Sequence, residues 1–429
     1  MNDSNLNNNA WKKLFAKYNI LGCIAKNGIF KISAAQIKEF REPRLMVKFD
    51  HEKNLPEVFR DNKLSILPIT RGDYIVSHFD TYHKFEVNSE PIKNFSIPYY
   101  IQSLNINNIS SETLALNCAF ASGIINDFMN EDNILPTVSG RMSSGNFSFY
   151  INDTKTKIFH NINVNNSQIE IDAAYEGVLS LILIEAKIDI SEDFIIRQLY
   201  YPFRLWQNRI SKPVRPIFLV YSNGIYRLYE YSFKDLYNYN SLYLLRQKNY
   251  SIEDTFISVL DIQSTLESAN IIDEPQNIPF PQADKFERVI NLCELANTEK
   301  LNRDYITEIY DFDSRQTSYY TDAARYLGLL AREKEDSGII YSITKTGQKI
   351  LNLGFKQRQL EFCKLILSHK AFSDSLRLYL QRGFMPSTPE IINIMKDSAL
   401  CNMESNSTFY RRSSTIKCWL NWVISLINE

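Results

Sequence analysis

The middle of the chain alternates between helical and strand-like hydrophobic patterns. Apolar residues recur at helical spacing over residues 110–129, which predicts one helix with a serine cap. In the segment GRMSSGNFSFYI, by contrast, Phe147, Phe149 and Ile151 alternate with small polar residues, which predicts one strand with a buried face. Strand-like patterns continue through IFHNINV and QIEIDAAYEGVLSLILIEAKI.

A second helical pattern covers residues 191–209, where we expect Ser191 to cap a helix. PIFLVY and IYRLYEY then predict two strands, and Asn223-Gly224 between them is a strong signal for a tight turn. The order of elements over residues 96–240 predicts a core with a mixed sheet. We therefore expect the chain to be of the α/β (α+β) class and multidomain.

The flanking regions differ from this core. Residues 1–95 begin with an amphipathic helix near Trp11 and continue in short strand-like runs, which predicts an N-terminal α+β module. A Pro-rich stretch marks residues 241–282 as a linker. Within residues 283–353, three helices, a strand and a Thr-Lys-Thr-Gly turn follow the order of a winged helix-turn-helix. Residues 354–429 are expected to form a C-terminal helical domain.

Composition limits the class of protein. The chain has 429 residues, of which 44% are hydrophobic and 23% charged, so we expect two to four globular domains. No apolar run approaches the roughly 20 residues of a membrane helix, and the Asn-rich start has no signal-peptide stretch, so we expect a cytoplasmic protein without a membrane partner. The net charge of −1 disfavours a surface that is basic throughout, so DNA binding would depend on local clusters of Lys and Arg.

Cysteine and histidine are too scattered to suggest a metal centre of their own. The six cysteines are single and the five histidines dispersed, which disfavours a disulfide framework or a His/Cys site. A metal in this protein is therefore expected to be a hard cation held by carboxylate oxygens.

Charged residues end a strand that the pattern predicts to be buried on both faces. The apolar run VLSLILIEAKI ends in Glu185-Ala186-Lys187, and Asp172 lies on the preceding strand. Buried charges need a partner or a metal. We expect Asp172 and Glu185 to converge and to hold Mg²⁺ together with the Ala186 carbonyl. Lys187 would then orient or deprotonate an attacking water.

The Asp/Glu-x-Lys spacing is a weak signal by itself. Asp61-Asn62-Lys63 and Asp153-Thr154-Lys155 also fit it, but both lie in polar, turn-like segments. The third match follows a buried strand, has an acid on the strand before it and is followed by a helix. The alternative interpretation is a charged strand end with a local Glu185–Lys187 contact and no catalytic role.

With its flanking segments, this pattern resembles the PD-(D/E)XK nuclease superfamily, specifically the type II restriction endonucleases. The similar segments are REPRLMVKFDHEKNLPEVFRDNKLSILPITRGDY, GRMSSGNFSF, IEIDAAYEG with LILIEAK, KPVRPIFLVYSNGIYRLYEY and RRSSTIKCWLNW. The resemblance implies the nuclease fold, Mg²⁺ dependence and cleavage of double-stranded DNA at a short sequence, with Asp172, Glu185 and Lys187 as the catalytic triad. The proline that names the motif is absent, since Ile171 precedes Asp172.

Four further residues are weaker candidates around this site. Glu112 is either an extra acid near the metal or an acid favoured by the dipole of its helix. Gln198 opens the helix after the core strands and could touch water or phosphate. Arg141 and Ser144 in GRMSSG either bind phosphate or form a plain turn.

DNA reading is assigned to the predicted winged helix. Its recognition helix would present polar side chains to base edges or phosphates: Arg315, Gln316, Ser318, Tyr319 and Arg325. Thr344, Lys345 and Lys349 would lie on or after the wing.

Two other segments carry candidate DNA contacts. Near the C-terminus, Arg411 and Arg412 are expected to contact phosphates, whereas Trp419 and Trp422 are expected in the core. The N-terminal module adds basic candidates at Arg41, Arg44, Lys48 and Arg71.

The sequence thus predicts a type II restriction endonuclease that hydrolyses double-stranded DNA with Mg²⁺. A homodimer would suit a palindromic site. Its cognate methyltransferase is expected to be a separate protein, because no Gly-rich methyl-donor motif is visible. Two alternatives stay open: a non-catalytic winged-helix regulator, and a repair or structure-specific nuclease of the same fold.

Overall fold

The chain forms two compact units in the computed structural model, which describes residues 3–310, 314–335, 338–398, 400, 403 and 405–428. Unit 1 consists of Met1–Pro91, Ala115–Tyr221 and Tyr226–Tyr250. Unit 2 consists of Ile92–Leu114, Ser222–Ile225 and Ser251–Glu429. Helices and strands occur in both units, and the main sheet has parallel and antiparallel neighbours. The predicted mixed α/β class is therefore confirmed.

The described residues contain seventeen α-helices. The helices are α1 (Asp3–Lys17), α2 (Ile20–Asn27), α3 (Ala34–Lys38), α4 (Pro43–Met46), α5 (Glu57–Asp61), α6 (Glu112–Ala121), α7 (Ile124–Met129), α8 (Arg197–Gln207), α9 (Val259–Ser268), α10 (Phe286–Thr298), α11 (Arg303–Tyr310), α12 (Ser314–Tyr326), α13 (Lys345–Leu351), α14 (Phe355–Leu367), α15 (Lys370–Arg382), α16 (Thr388–Lys396) and α17 (Asn406–Ser425). Short 3₁₀ helices cover Glu52–Asn54 and Tyr239–Ser241.

The strands are mostly four to ten residues long. They are β1 (Phe30–Ser33), β2 (Ser65–Pro68), β3 (Asp73–Ser77), β4 (Tyr82–Lys84), β5 (Ile92–Asn94), β6 (Leu135–Ser143), β7 (Asn146–Asn152), β8 (Phe159–Asn165), β9 (Gln168–Glu176), β10 (Leu181–Lys187), β11 (Asp193–Ile195), β12 (Val214–Ser222), β13 (Ile225–Phe233), β14 (Leu242–Ser251), β15 (Leu301–Asn302), β16 (Leu330–Glu335) and β17 (Gly338–Ile343).

The N-terminal part of unit 1 has its own apolar core beside the small sheet β1-β3-β2. Trp11, Phe15 and Phe59 pack edge to face at its centre, where all three are buried. The indole nitrogen of Trp11 donates to the Met46 carbonyl at 2.9 Å, which satisfies the polar end of the ring. The α+β character predicted for this region is present.

The main sheet of unit 1 places the candidate strand in its interior. Within this unit its strands run in the order β14-β13-β12-β10-β9-β6. β10 pairs in parallel with β12 and antiparallel with β9, so both of its edges are hydrogen-bonded. Its residues from Leu181 to Ala186 are all buried, as the apolar run predicts. The Asn223-Gly224 turn joins β12 to β13, and both residues have positive φ (53° and 77°), as predicted.

Three predictions about the local structure of the core are wrong. Residues 110–129 form two helices, because the chain turns at Gly123 with a φ of 84°. GRMSSGNFSFYI is divided between β6 and β7 at Gly145, where φ is 65°. Ser191 does not cap a helix, because β11 follows it and pairs with β4 before α8 begins at Arg197.

Part of the predicted linker is regular structure. Residues 242–251 form the ten-residue strand β14, which pairs antiparallel with β13. Residues 259–268 form α9, which begins with a capping box between Ser258 and Asp261. The Pro-rich stretch that motivated the linker lies after both elements.

After the Pro-rich stretch, unit 2 continues with α10, β15, α11, α12, β16 and β17. The three strands form one sheet in the order β15-β17-β16. The segment SRQTSYYTDAARYLGLLAREK (residues 314–334) has the periodicity of one helix, the predicted recognition helix. That prediction is too long, since α12 ends at Tyr326 and Gly328, with a φ of 70°, turns the chain into β16. The Thr-Lys-Thr-Gly segment is not a wing turn. Thr344 accepts a hydrogen bond from the Gly347 amide and caps α13, so Lys345 and Lys349 lie on a helix.

The C-terminal helix α17 is anchored by tryptophan. Trp419 is fully buried, stacks on Phe372 and donates from its indole nitrogen to the Ala283 carbonyl at 2.6 Å. Trp422 is partly buried and packs on Phe286 with a centroid distance of 4.3 Å. The prediction that these rings are core residues is confirmed for Trp419. In the part of the chain that the structure describes, no helix combines the length and apolar character needed to cross a membrane.

Candidate active site

The register of two antiparallel strands brings the predicted acids together. β9 and β10 pair Ala173 with Ile184, so one step further along the ladder Asp172 lies across from Glu185. The Asp172 Oδ2 atom accepts a hydrogen bond from the Ala186 amide at 2.8 Å. Asp172 therefore contacts the backbone of the Glu185-Ala186-Lys187 segment directly. That its carboxylate and that of Glu185 meet at one metal stays a prediction.

Glu185 is the centre of the hydrogen-bond network. Its side chain is buried, with 8% of the residue exposed. Its Oε1 atom accepts from Lys187 Nζ at 2.7 Å and from Gln198 Nε2 at 2.6 Å. Lys187 Nζ also donates to the Ala186 carbonyl at 3.1 Å. The helix α8 supplies Gln198, so a third element takes part in the site.

Burial and neighbouring charge set the protonation of this cluster. Burial raises the pKa of Glu185 to about 7, and the negative charges of Asp172 and Asp50 add to that effect. The charge and hydrogen bond of Lys187 oppose it without cancelling it. A carboxyl group that titrates near neutrality inside an oxygen-lined site is a group that a bound cation would stabilise in its ionised form.

The residues present fit a hard divalent cation. Asp172, Glu185 and the Ala186 carbonyl would hold Mg²⁺, since oxygen donors are the ligands that it prefers. The Gln198 Oε1 atom is shielded from solvent and has no hydrogen-bond partner in the part of the chain that the structure describes, so an acceptor oxygen beside Glu185 could still accept a hydrogen bond or bind a cation. Among the described residues, no three His, Cys, Asp or Glu side chains are grouped closely enough to bind a metal, so protein carboxylates would supply two ligands at most there.

This fit has a measurable consequence. Mg²⁺ should raise the melting temperature of the wild-type protein more above pH 7 than below it, because Glu185, whose pKa is about 7, must lose its proton to bind the cation. Glu185→Gln should remove the shift at either pH. Glu176→Gln is the matched control, since Glu176 ends the same strand as Asp172 and pairs with Lys212. An Mg²⁺ shift that survives in Glu185→Gln contradicts the assignment of Glu185 as a ligand.

Further acidic and basic groups that the sequence pattern does not predict surround this cluster. The negative charge of Asp50 raises the pKa of both Glu185 and Asp189. Burial raises the pKa of Asp189, while the positive charges of His51 and Lys187 lower it. No local pattern identifies these residues, because His51 and its contact Asp193 are 142 positions apart in the sequence.

The two candidates in GRMSSG have different surroundings. Arg141 is exposed and its Nε atom lies 3.3 Å from an oxygen of Glu170. Ser144 is buried, its amide donates to the Ser167 carbonyl at 2.8 Å, and its hydroxyl donates to the Gly145 carbonyl. These contacts favour the turn role for Ser144 over phosphate binding.

Glu112 is the first residue of α6 and belongs to unit 2. Its role as an extra acid near the metal stays a prediction. In the N-terminal module, Arg44 is exposed, and Lys48 is exposed with its ammonium 3.8 Å from Asp50.

The polar residues of α12 divide into two sets. Arg315 and Gln316 are exposed in the first turn, and Tyr319 is half-buried. Ser318 accepts a hydrogen bond from Arg303 at 3.0 Å, and Arg325 forms an ion pair of 2.6 Å with Asp322 on the same helix. The start of α12 therefore carries the better candidates for DNA contact.

The arginines of α17 also differ from each other. Arg411 is exposed, as phosphate binding requires. Arg412 is partly buried and its guanidinium donates to the Phe280 carbonyl, while burial lowers its pKa. The structure thus favours a structural role for Arg412 over the predicted phosphate contact.

Comparisons with known proteins give matches without an assigned activity. Three family models match consecutive parts of the chain, and each is described as a domain of unknown function: DUF6996 over residues 8–76, DUF6997 over residues 77–251 and DUF7226 over residues 288–428. No curated protein and no solved structure matches the chain. Asp172, Glu185, Lys187 and Gln198 all lie within the DUF6997 match.

Proposed function

We propose that the chain is a type II restriction endonuclease that hydrolyses phosphodiester bonds in double-stranded DNA at a specific short sequence, with Mg²⁺ as cofactor. The observation that carries this proposal is the convergence of Asp172, Glu185, Lys187 and Gln198 at the end of a buried strand. Residues 96–240 would be a core of the PD-(D/E)XK nuclease type. The protein would act in the cytoplasm beside a separate methyltransferase.

The chemistry assigns a task to each side chain. Bound Mg²⁺ would supply charge neutralisation at the phosphate and a water of lowered pKa. Asp172 and Glu185 bring the negative charge that attracts the cation. Lys187, held by Glu185 Oε1 and the Ala186 carbonyl, would orient the attacking water and offset charge that develops on the phosphate. Gln198 holds the Glu185 carboxylate from α8, which limits its rotation.

DNA recognition is proposed for the segment from α10 to β17, whose order of helices and strands is that of a winged helix. Arg315 and Gln316 at the exposed start of α12 are the residues that we assign to base edges, and Arg411 to phosphate. Phosphate contacts would make binding fall steeply with salt. A homodimer would match the symmetry of a palindromic site.

Cleavage of plasmid DNA in the presence of Mg²⁺ or of a chelator tests the proposal. We expect discrete fragments with Mg²⁺ and intact plasmid with the chelator, because the site needs the cation to neutralise the phosphate. Ragged degradation, or cutting confined to branched DNA, would indicate a repair nuclease instead. Tight binding to DNA without cutting under any condition would indicate a non-catalytic regulator and would overturn the enzyme assignment.

A further inference from the structure

Two segments of unit 1 that are distant in sequence meet beside the candidate site. His51 Nδ1 lies 2.6 Å from the Asp193 carbonyl oxygen and 3.3 Å from Asp193 Oδ1. The Ile195 amide donates to the Asp50 carbonyl at 2.9 Å, and the Glu52 amide donates to Asp193 Oδ1 at 3.4 Å. The chain that leaves Lys187 is therefore fastened to residues 50–52 of the N-terminal part of this unit.

The contact is buried and directional. His51 and Asp193 are each 5% exposed. Because a carbonyl oxygen can only accept, Nδ1 of His51 carries the proton in this hydrogen bond. Burial lowers the pKa of His51, but the hydrogen bond to Asp193 and the charge of Asp189 outweigh it, so the net shift is upward. The surroundings of His51 therefore favour its protonated form more than water does.

Asp189 lies in the loop between Lys187 and Asp193. Burial raises the pKa of Asp189, and the first two groups that oppose this are the cations His51 and Lys187. The Asp189 Oδ1 atom is shielded from solvent and has no hydrogen-bond partner among the described residues.

We propose that His51 is a positioning residue of this site: with Asp193 it fixes the loop that follows Lys187, and the fixed loop keeps the Lys187 ammonium on Glu185. The N-terminal part of unit 1 is then a component of the nuclease site and not only a DNA-binding module. The inference rests on the proposed function, because the position of Lys187 affects rate only if Lys187 acts in the reaction.

His51→Asn tests this proposal, since asparagine keeps an N–H donor but carries no charge. We expect kcat for DNA cleavage to fall about tenfold or more, as for other residues that orient a catalytic group, with KM little changed. The Mg²⁺-induced rise in melting temperature should persist, because the metal ligands are untouched. His78→Asn is the matched control, since the ring of His78 contacts a backbone carbonyl, that of Lys63.

Hydrogen exchange gives a second measurement that needs no cleavage. His51→Ala should speed exchange of the Ile195 and Glu52 amides in the metal-free protein, while amides of α1 and α8 keep their wild-type rates. If His51→Asn does not fold, His51→Gln takes its place in the kinetic measurement.

The outcomes separate the two proposals. Wild-type protein that cuts DNA, together with a folded His51→Asn variant of unchanged kcat, overturns the positioning role alone. Unchanged exchange at Ile195 and Glu52 in His51→Ala also overturns it. Wild-type protein that leaves DNA intact with Mg²⁺ overturns the proposed function, and the positioning role falls with it.

Discussion

Lys187→Ala should abolish DNA cleavage while leaving DNA binding nearly unchanged. The Lys187 ammonium is held 2.7 Å from Glu185 Oε1 and 3.1 Å from the Ala186 carbonyl. In the proposed reaction it would orient the attacking water and offset charge on the phosphate. Removing a positioned proton donor or acceptor costs about 10²- to 10⁴-fold in rate. Single-turnover cleavage and a filter-binding or anisotropy measurement on the same DNA would give both quantities.

The chain supplies a closely matched control for this experiment. Lys155 also follows an acid at the Asp/Glu-x-Lys spacing, but it is exposed in the turn after β7. Lys155→Ala should therefore cut at the wild-type rate. An equal loss of cleavage in both variants would indicate that removing any positive charge weakens DNA binding. Undiminished cleavage by Lys187→Ala would refute the catalytic role of Lys187.

Glu230→Gln should lower the free energy of unfolding of unit 1 by about 3–5 kcal/mol, the usual cost of breaking a buried ion pair from one side. Glu230 is 3% exposed on β13. It accepts from Arg215 Nε at 2.7 Å, from Arg215 Nη2 at 2.9 Å and from Arg246 Nε at 2.6 Å. These arginines lie on the adjacent strands β12 and β14, so one carboxylate joins three strands. Its loss takes the nearest carboxylate from both guanidinium groups and leaves Arg215 with Glu131 at 3.9 Å.

The same carboxylate gives a pH dependence of defined sign. Burial would raise the pKa of Glu230, but the hydrogen bonds and charges of Arg215 and Arg246 outweigh it and hold that pKa below its ordinary value. A carboxyl group with a lowered pKa stabilises the fold above its unfolded-state pKa and loses that contribution as the pH falls through the folded-state pKa. The difference in stability between wild type and Glu230→Gln should therefore shrink in acid.

Urea denaturation at several pH values would measure both effects. Glu57→Gln is the control, because Glu57 pairs with Lys12 at 2.7 Å on the surface, where 47% of its side chain is exposed. A surface pair of this kind contributes up to about 1 kcal/mol. A Glu230→Gln variant no less stable than Glu57→Gln would contradict the interpretation of the three-strand network.

Local sequence patterns were sufficient for the strands that carry the candidate site. An apolar run ending in charge identified β10, and an acid on the preceding strand placed Asp172 opposite it, because the register of a hairpin follows from its turn. The Asn223-Gly224 turn was predictable for the same reason, since few residues adopt two consecutive positive φ angles.

What the sequence did not predict depends on tertiary pairing or on glycine. The helical pattern after Ser191 was overridden by β11, whose hydrogen bonds come from β4, more than a hundred positions earlier in the sequence. Glycine occurs at the three unpredicted turns, at Gly123, Gly145 and Gly328. A glycine inside a periodic pattern does not by itself indicate whether the chain turns there. The His51–Asp193 contact has no local pattern at all.

Unit 1 is assembled from three pieces of chain that are not contiguous. During synthesis, β10 emerges before β12, the strand that completes its second edge, and β13 and β14 follow later still. Pairing between strands that are distant in sequence is slow, and it can form only after the later strand has been synthesised. A nascent chain that ends before residue 222 therefore lacks part or all of β12. In such a chain β10, which carries Glu185, is not fully paired along its second edge. The proposed catalytic centre would mature only after the chain had been made as far as residue 250.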